Sequence, residues 1–386
     1  MPPENKILFI SHDAYRTGAP IVLIHHLRAL KETYPEIDFD ILLKYDGEMA
    51  KDFRAIAPTF VFPYPSIADK IRKKLFKYNY RKDKAKQVIG GQYGIIYGNT
   101  VVSADLLALA KQNNAGAITV CHVHELDISI KQFFGKGNFL AAIPFIDHFV
   151  AASYAVKDVL TKNYGIAEDN IHIHHEHIPV PKDTGVYLQD NAKFSSVVNS
   201  RGLKICGSGT QDWRKGIDLF IQAAFNLNQS NPEADFHFYW IGGKTGSVDY
   251  EKAKYDIEKS GVAHRITLID SNPNPLSYMA LCDVFLLSSR EDPFPLVCLE
   301  AAALGKPIIC FKGSGGMVEF VDESNGWVID YFDFLQLNSV LRQLAVEKEG
   351  MQIIAAKGQA SKQKAAEYDI EKGVEKLKIY LDTLVN

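Results

Sequence analysis

The chain has little with which to make covalent or thiolate cross-links. Its five cysteines, Cys121, Cys206, Cys282, Cys298 and Cys310, are scattered, odd in number and mostly set inside apolar runs, and no CxxC pair occurs. Neither a disulfide framework nor a structural zinc site is expected from such usage. No apolar run approaches the roughly 18 residues needed to cross a bilayer. The first six residues lead straight into a strand and lack the apolar core of a signal peptide, so a cytoplasmic location is expected. Charge of one sign is also missing: the formal net charge is -3, which gives no general basis for binding nucleic acid.

What is present is an ordinary globular composition, 47% hydrophobic and 23% charged, spread over 386 residues. That length is too great for one comfortable core, so two domains are the default. Apolar runs alternate with helical periodicity in two series. The first gives strands over 6–11, 39–44, 59–62, 94–97, 117–121, 148–151 and 170–175, with amphipathic segments such as 19–32 and 103–112 between them. The second gives strands over 203–206, 236–241, 266–268, 284–287, 308–311 and 327–329, separated by segments such as 216–228, 250–260 and 332–345. Strands alternating with helices imply parallel sheets covered on both faces, and two such series imply an α/β protein with two Rossmann-like domains. The break falls in 179–201, where prolines, Gly185 and polar residues interrupt the pattern. The expected domains are residues 1–180 and 200–365, followed by a separate amphipathic helix over 368–386. Ligands of open α/β sheets bind at the carboxyl ends of the strands.

The densest chemistry lies in Ser289-Arg290-Glu291-Asp292-Pro293-Phe294-Pro295-Leu296-Val297-Cys298-Leu299-Glu300 and runs on to Gly305 and Pro307. It reads as strand, loop, short helix and strand, with Asp292 before the helix and Glu300 at its start. Two carboxylates suit a hydroxyl-rich ligand, and the free amides of a helix start suit phosphate. The second-domain opening, Cys206-Gly207-Ser208-Gly209-Thr210-Gln211-Asp212-Trp213-Arg214-Lys215-Gly216, places two permanent cations ahead of a helix. Cations there oppose the helix dipole unless an anion is nearby. A dinucleotide fingerprint fails at this place, because Asp212 stands where the third glycine belongs. Gly243-Lys244-Thr245 likewise lacks the upstream glycine of a P-loop.

Together these strings resemble the donor-site motifs of retaining GT-B glycosyltransferases of the GT4-like (group 1) family. The resemblance covers nearly the whole chain and is most specific over 207–326. It implies two Rossmann-like domains facing across a cleft, with a C-terminal helix crossing back onto the first. It also implies a nucleotide-diphosphate sugar as donor, uridine- or guanosine-linked. Glu300 would hold the nucleotide ribose, and Arg214 and Lys215 would hold the diphosphate. The backbone of Phe294, Pro295, Leu296 and Val297 would meet sugar and phosphates. Asp292 aligns with the first acid of the family's E-x7-E, which meets the donor sugar; being an aspartate, it is one methylene shorter, and Glu291 beside it can share that contact. Gly207 and Gly209 would allow close approach of the ligand. Gly313-Ser314-Gly315-Gly316-Met317-Val318-Glu319 resembles the family's glycine-rich loop. In the first domain, Gly18, in Ser11-His12-Asp13-Ala14-Tyr15-Arg16-Thr17-Gly18, would let backbone approach the reacting centre. His124, with His122 as the alternative, would touch the donor sugar and help stabilise positive charge near the anomeric carbon. His122 and His124 share a face by strand alternation.

Metal is not expected. No Asp-x-Asp stands at the end of a strand, as metal-dependent glycosyltransferases of the other fold require, and Arg214 and Lys215 would replace the ion's charge. His172, His174, His175 and His177 invite a metal reading, but in a strand no face gathers more than two of them. Residues 70–86 carry nine basic residues against one acidic, with Ile71, Leu75 and Tyr78 at helical spacing. Such a helix either lies on an anionic membrane surface or presents a solvated basic face. The implied function is a retaining, metal-independent transfer to a hydroxyl of a glycan or lipid-linked acceptor in bacterial surface polysaccharide synthesis. The alternatives are a non-catalytic nucleotide-sugar-binding protein and a nucleotide-sugar epimerase on the same scaffold.

Overall fold

The computed structural model describes residues 6–66, 84, 88–89, 93–180 and 192–385. The basic stretch over 70–86 lies outside the described residues apart from Lys84. The chain divides into two compact units, one of residues 1–179 with 370–386 and one of residues 180–369.

The first unit is built on a seven-stranded sheet. Its strands are β1 (Ile7–Ser11), β2 (Phe39–Leu43), β3 (Thr59–Val61), β4 (Ile95–Asn99), β5 (Ile118–Val123), β6 (His148–Ala151) and β7 (Ile171–Ile173). All pair in parallel, in the order β3-β2-β1-β4-β5-β6-β7. Every residue of β1, β2 and β4 is buried, as expected where helices cover both faces of a parallel sheet. The order reverses between β1 and β4, and register sets Ser11 level with Asn99 and Asn99 level with His122. Three polar side chains therefore share one row at the carboxyl ends of adjacent strands.

Apolar side chains fill both faces. On one face Phe9, Leu27 and Leu30 are joined by Ile370, Val374, Leu377, Tyr380 and Leu381 of the C-terminal helix Ile370–Val385. Burying each such side chain contributes about 1.5–3 kcal/mol, which is why the last segment returns to this sheet. The contact with the preceding segment is close: a Cβ on Gly373 would lie 2.6 Å from the His177 ring.

The second unit is built on a six-stranded parallel sheet of β8 (Leu203–Ser208), β9 (Phe236–Ile241), β10 (Ile266–Ile269), β11 (Val284–Leu287), β12 (Ile308–Phe311) and β13 (Gly326–Ile329). Its order is β10-β9-β8-β11-β12-β13, reversing between β8 and β11. Phe220, Phe238 and Trp240 pack edge to face behind β8 and β9. Both sheets thus place their reversal point beside the first strand of the unit, where ligands of such folds bind.

The thirteen strands among the described residues fall where the apolar runs place them, with differences at ends. β7 stops at Ile173 rather than reaching His175, so the histidines beyond it follow no strand alternation. The helix expected from Phe332 begins at Phe334. Asp333 caps it by accepting from the amides of Leu335 and Gln336, and Phe332 itself sits at φ 62°. Within the expected interdomain break, Ala192–Asn199 is helical. Among its described side chains only Phe194 and Val197 are buried, Phe194 edge-on to Tyr278, so too few apolar residues repeat for the sequence to announce a helix.

Candidate functional site

In the second unit the chain leaves β8 and enters helix Ile217–Ser230 through 209–216. Gly216 has φ 70°, and a Cβ there would stand 2.1 Å from the Ser288 carbonyl, so only glycine lets this turn sit against the end of β11. Gly207 and Gly209 serve nearer neighbours than a ligand. A Cβ on Gly207 would press on the Phe220 ring at 3.0 Å, and one on Gly209 would meet the Lys215 stem at 3.1 Å. The Asp212 carboxylate accepts from the Lys215 amide at 2.9 Å and so closes the turn.

The two cations converge on Asp292. Lys215 Nζ lies 2.6 Å from Oδ2, Ser289 donates to the same oxygen at 3.0 Å, and Arg214 Nη1 stands 3.7 Å from Oδ1. Arg214 also donates to the Glu291 carbonyl at 3.1 Å. Burial alone would raise the Asp292 pKa, but Lys215, Arg214 and the Ser289 hydroxyl outweigh it and hold the carboxyl below its ordinary range. The carboxylate assigned by resemblance to sugar hydroxyls is therefore directed at Arg214 and Lys215. It positions the pair across the two loops.

Helix Leu296–Ala303 starts directly after this loop, with Pro295 at its N-cap and Phe294 buried against Tyr368. The first amides of a helix, here those of Leu296 and Val297, have no partner one turn back. Glu300 is one turn inside this helix rather than at its start. It makes no side-chain hydrogen bond or ion pair among the described residues, and burial pushes its pKa up to about 7. A carboxylate partly desolvated and left without a protein partner is a group prepared for a ligand donor.

The glycine-rich loop after β12 holds Asp292 in place. Asp292 and Gly315 form a parallel bridge, with Asp292 N–H donating to Ser314 at 2.7 Å and Gly316 N–H donating to Pro293 at 2.8 Å. Gly315 has φ 144°, and a Cβ would fall 1.7 Å from the Asp292 carbonyl oxygen. Two further residues escaped the sequence reading. Arg290 makes a two-pronged ion pair with Asp218, at 2.8 and 2.6 Å, and lies over the Trp213 ring at 5.1 Å. This brace ties the β11 loop to the β8 loop. Arg290 lay inside the recognised string, but nothing in sequence linked it to Asp218.

The first unit carries its own polar group. His124, just beyond β5, is bonded at both ring nitrogens: Nδ1 to Glu176 at 2.5 Å and Nε2 to Asn99 Oδ1 at 2.7 Å. Asn99 spends its amide N–H on the Ala19 carbonyl, in the first turn of helix Gly18–Thr33. Its Oδ1 must accept, so Nε2 of His124 carries a proton, and a second proton on Nδ1 would make the ring an imidazolium beside Glu176. Burial opposes that charge, but the Glu176 carboxylate overcomes it and raises the pKa. His122 lies 3.9 Å from His124, ring to ring, and shares a 2.8 Å hydrogen bond with Tyr97. Glu125, also buried, accepts from the amides of His124 and Val101. At Gly18 a Cβ would meet nothing within 4 Å, so the protein itself does not require glycine there. Glu176 was visible only inside the histidine-rich run, where nothing marked it as the partner of His124.

Residues 189–360 match the family model described as glycosyl transferases group 1. This segment belongs to that family. The chain is 27% identical over 133 residues to the D-inositol 3-phosphate glycosyltransferase of Corynebacterium diphtheriae, covering 34% of this chain and 31% of that protein. It is 30% identical over 182 residues to the alpha-galactosylglucosyldiacylglycerol synthase of Streptococcus pneumoniae, 46% of this chain and 44% of the other. These matches span less than half the length of those relatives. Solved structures match over far more of the chain. Anabaena HepE, in complex with UDP and glucose, superposes with a TM-score of 0.75 at 19% identity, covering 98% of this chain and 99% of that one. The lipopolysaccharide outer core galactosyltransferase WaaB gives 0.73 at 14% identity, covering 98% and 99%. The fold of the chain is GT-B.

Proposed function

We propose that the protein is a retaining glycosyltransferase that takes a sugar from a uridine- or guanosine-diphosphate sugar and transfers it to a hydroxyl of a glycan or lipid-linked acceptor. The observation that carries this reading is Glu300, a partly desolvated carboxylate with no partner among the described residues, one turn into a helix whose first amides have no partner one turn back, on the same reversal point as Arg214 and Lys215. A nucleotide diphosphate supplies what each lacks: ribose hydroxyls for Glu300, and phosphate oxygens for the cations and for the amides of Leu296 and Val297. Uridine is favoured because the similar Anabaena HepE has been solved with UDP-glucose. A role in bacterial surface glycans is favoured by the lipopolysaccharide and glycolipid enzymes among the similar proteins.

Charge grows on the leaving phosphate as the glycosidic bond breaks, and cations already fixed in place stabilise it without reorganising. Asp292 and the Gly315 bridge keep Lys215 from relaxing away. The departing phosphate takes the proton of the attacking hydroxyl on the face it leaves, so retention needs no separate base. No Asp-x-Asp motif at a strand end is needed, since Arg214 and Lys215 supply the positive charge.

The test is incubation with UDP-glucose, UDP-galactose and GDP-mannose, with and without glycan and lipid acceptors. Nucleotide release and NMR of the product anomeric proton are the readouts. Acceptor-dependent release of one nucleotide with retained configuration is expected. A donor isomer formed without acceptor would make the protein an epimerase. Donor binding with no turnover under any acceptor would make it a binding protein.

A further inference from the structure

Helix Gly18–Thr33 carries His26, which the sequence separates from the histidine-rich run by 148 residues. The fold closes that distance. β7 ends before His174, and the bend beyond it turns His174 and His177 toward His26. The three rings are buried, 4%, 3% and 1% exposed, and each offers a nitrogen within 4.8 Å of the others. The Nε2 atoms of His26 and His174 are 3.4 Å apart. Zinc–imidazole bonds of roughly 2.0–2.1 Å place tetrahedral ligand nitrogens about 3.3–3.4 Å apart, so this pair already spans one ligand edge.

The tautomer suits a ligand as well. His26 Nδ1 lies 2.9 Å from the Val22 carbonyl, which can only accept, so the proton is on Nδ1 and the Nε2 lone pair faces His174. A ligating histidine ordinarily makes this backbone contact with its other nitrogen. Beside these rings is a cavity of about 10 Å3 lined by His26, His174, His122, Tyr97 and Asn99 together with five apolar side chains. That is room for one water. His122 Nε2, buried and 4% exposed as a residue, has no hydrogen-bond partner there.

We propose that His26, His174 and His177 bind a borderline divalent ion of the zinc class, with a water in the adjoining cavity as fourth ligand and His122 as that water's hydrogen-bond partner. The ion is structural: it fastens helix Gly18–Thr33 to the segment that packs under Gly373 of the C-terminal helix. This site is independent of sugar transfer, so its test does not depend on activity. Tag-free full-length protein is stripped with chelator and titrated with Co2+ and with Zn2+. One ion per chain is expected by mass spectrometry of the metal, with visible Co2+ bands of tetrahedral intensity and an X-ray absorption shell of three imidazoles. His26→Gln and His174→Gln should each weaken Co2+ binding at least about tenfold. Wild-type protein that takes up no ion, that holds it in an oxygen-only shell, or that binds equally in both variants overturns the proposal. The first two outcomes need no variant to fold.

Discussion

Replacing Glu300 by glutamine should make the second unit more stable and its donor binding weaker. Burial raises the Glu300 pKa from 4.5 to about 7 in the folded chain. Between those values the folded protein keeps a proton that the unfolded chain has lost, so stability falls as pH rises through that window and the full penalty stands above about pH 7. A shift of this size corresponds to about 3 kcal/mol, reduced to about 1–3 kcal/mol because the side chain retains some access to water. A glutamine at this position never ionises and escapes the penalty. All three tryptophans, Trp213, Trp240 and Trp327, lie in the second unit, so intrinsic fluorescence in a urea titration reports this unit alone. At pH 8 the variant should unfold later than wild type, and at pH 4 the two curves should meet. Donor binding should change the other way. Losing a charged acceptor costs about 1.5–3 kcal/mol, or about 10- to 100-fold in affinity for the nucleotide sugar. Wild-type affinity should also decline as pH falls below about 7, where Glu300 takes up its proton, whereas the variant's should stay flat. Parallel stability curves from pH 5 to 8, or donor affinity kept within about twofold, would refute the reasoning.

Lys215→Met should destabilise the second unit by about 3 kcal/mol at neutral pH, because it leaves Asp292 buried beside one more distant cation. The depressed Asp292 pKa sets the sign: this contribution is present above pH 3.8 and is lost as pH falls through the lower folded value, so the gap should close only in strong acid. Arg214 stands 3.7 Å from Asp292 and donates to the Glu291 carbonyl, so Arg214→Gln should weaken diphosphate binding and cost unfolding about 1 kcal/mol, less than Lys215→Met. Calorimetric titration with UDP separates the two variants. Gly315→Ala drives a Cβ into the Asp292 carbonyl and should cost about 2 kcal/mol or more, with donor affinity lost alongside, by fluorescence unfolding and titration. Gly18→Ala meets open space and should leave the melting temperature unchanged while lowering kcat/KM, if backbone approach to the substrate is what requires glycine.

The residue order alone determined the thirteen described strands, the parallel sheets and the existence of an amphipathic last helix, because alternating apolar runs and amphipathic segments are local patterns with one good burial solution. The return of that helix to the first sheet was implied only by the family resemblance. It also marked Arg214, Lys215, Asp292 and Glu300, whose spacing around a strand end and a helix start is a short-range property. Tertiary structure decided what each of these side chains faces. Asp292 turned inward to the cations because the Gly315 bridge fixes its backbone, and Glu300 was left without a partner because no neighbouring element among the described residues offers a donor. The pairing of Arg290 with Asp218 and of His124 with Glu176 joins residues on different loops. The meeting of His26 with His174 and His177 depends on a strand that ends two residues early and on a helix more than a hundred positions away. Contacts between such distant segments are set by how the sheet and its covering helices pack, and no local pattern encodes them.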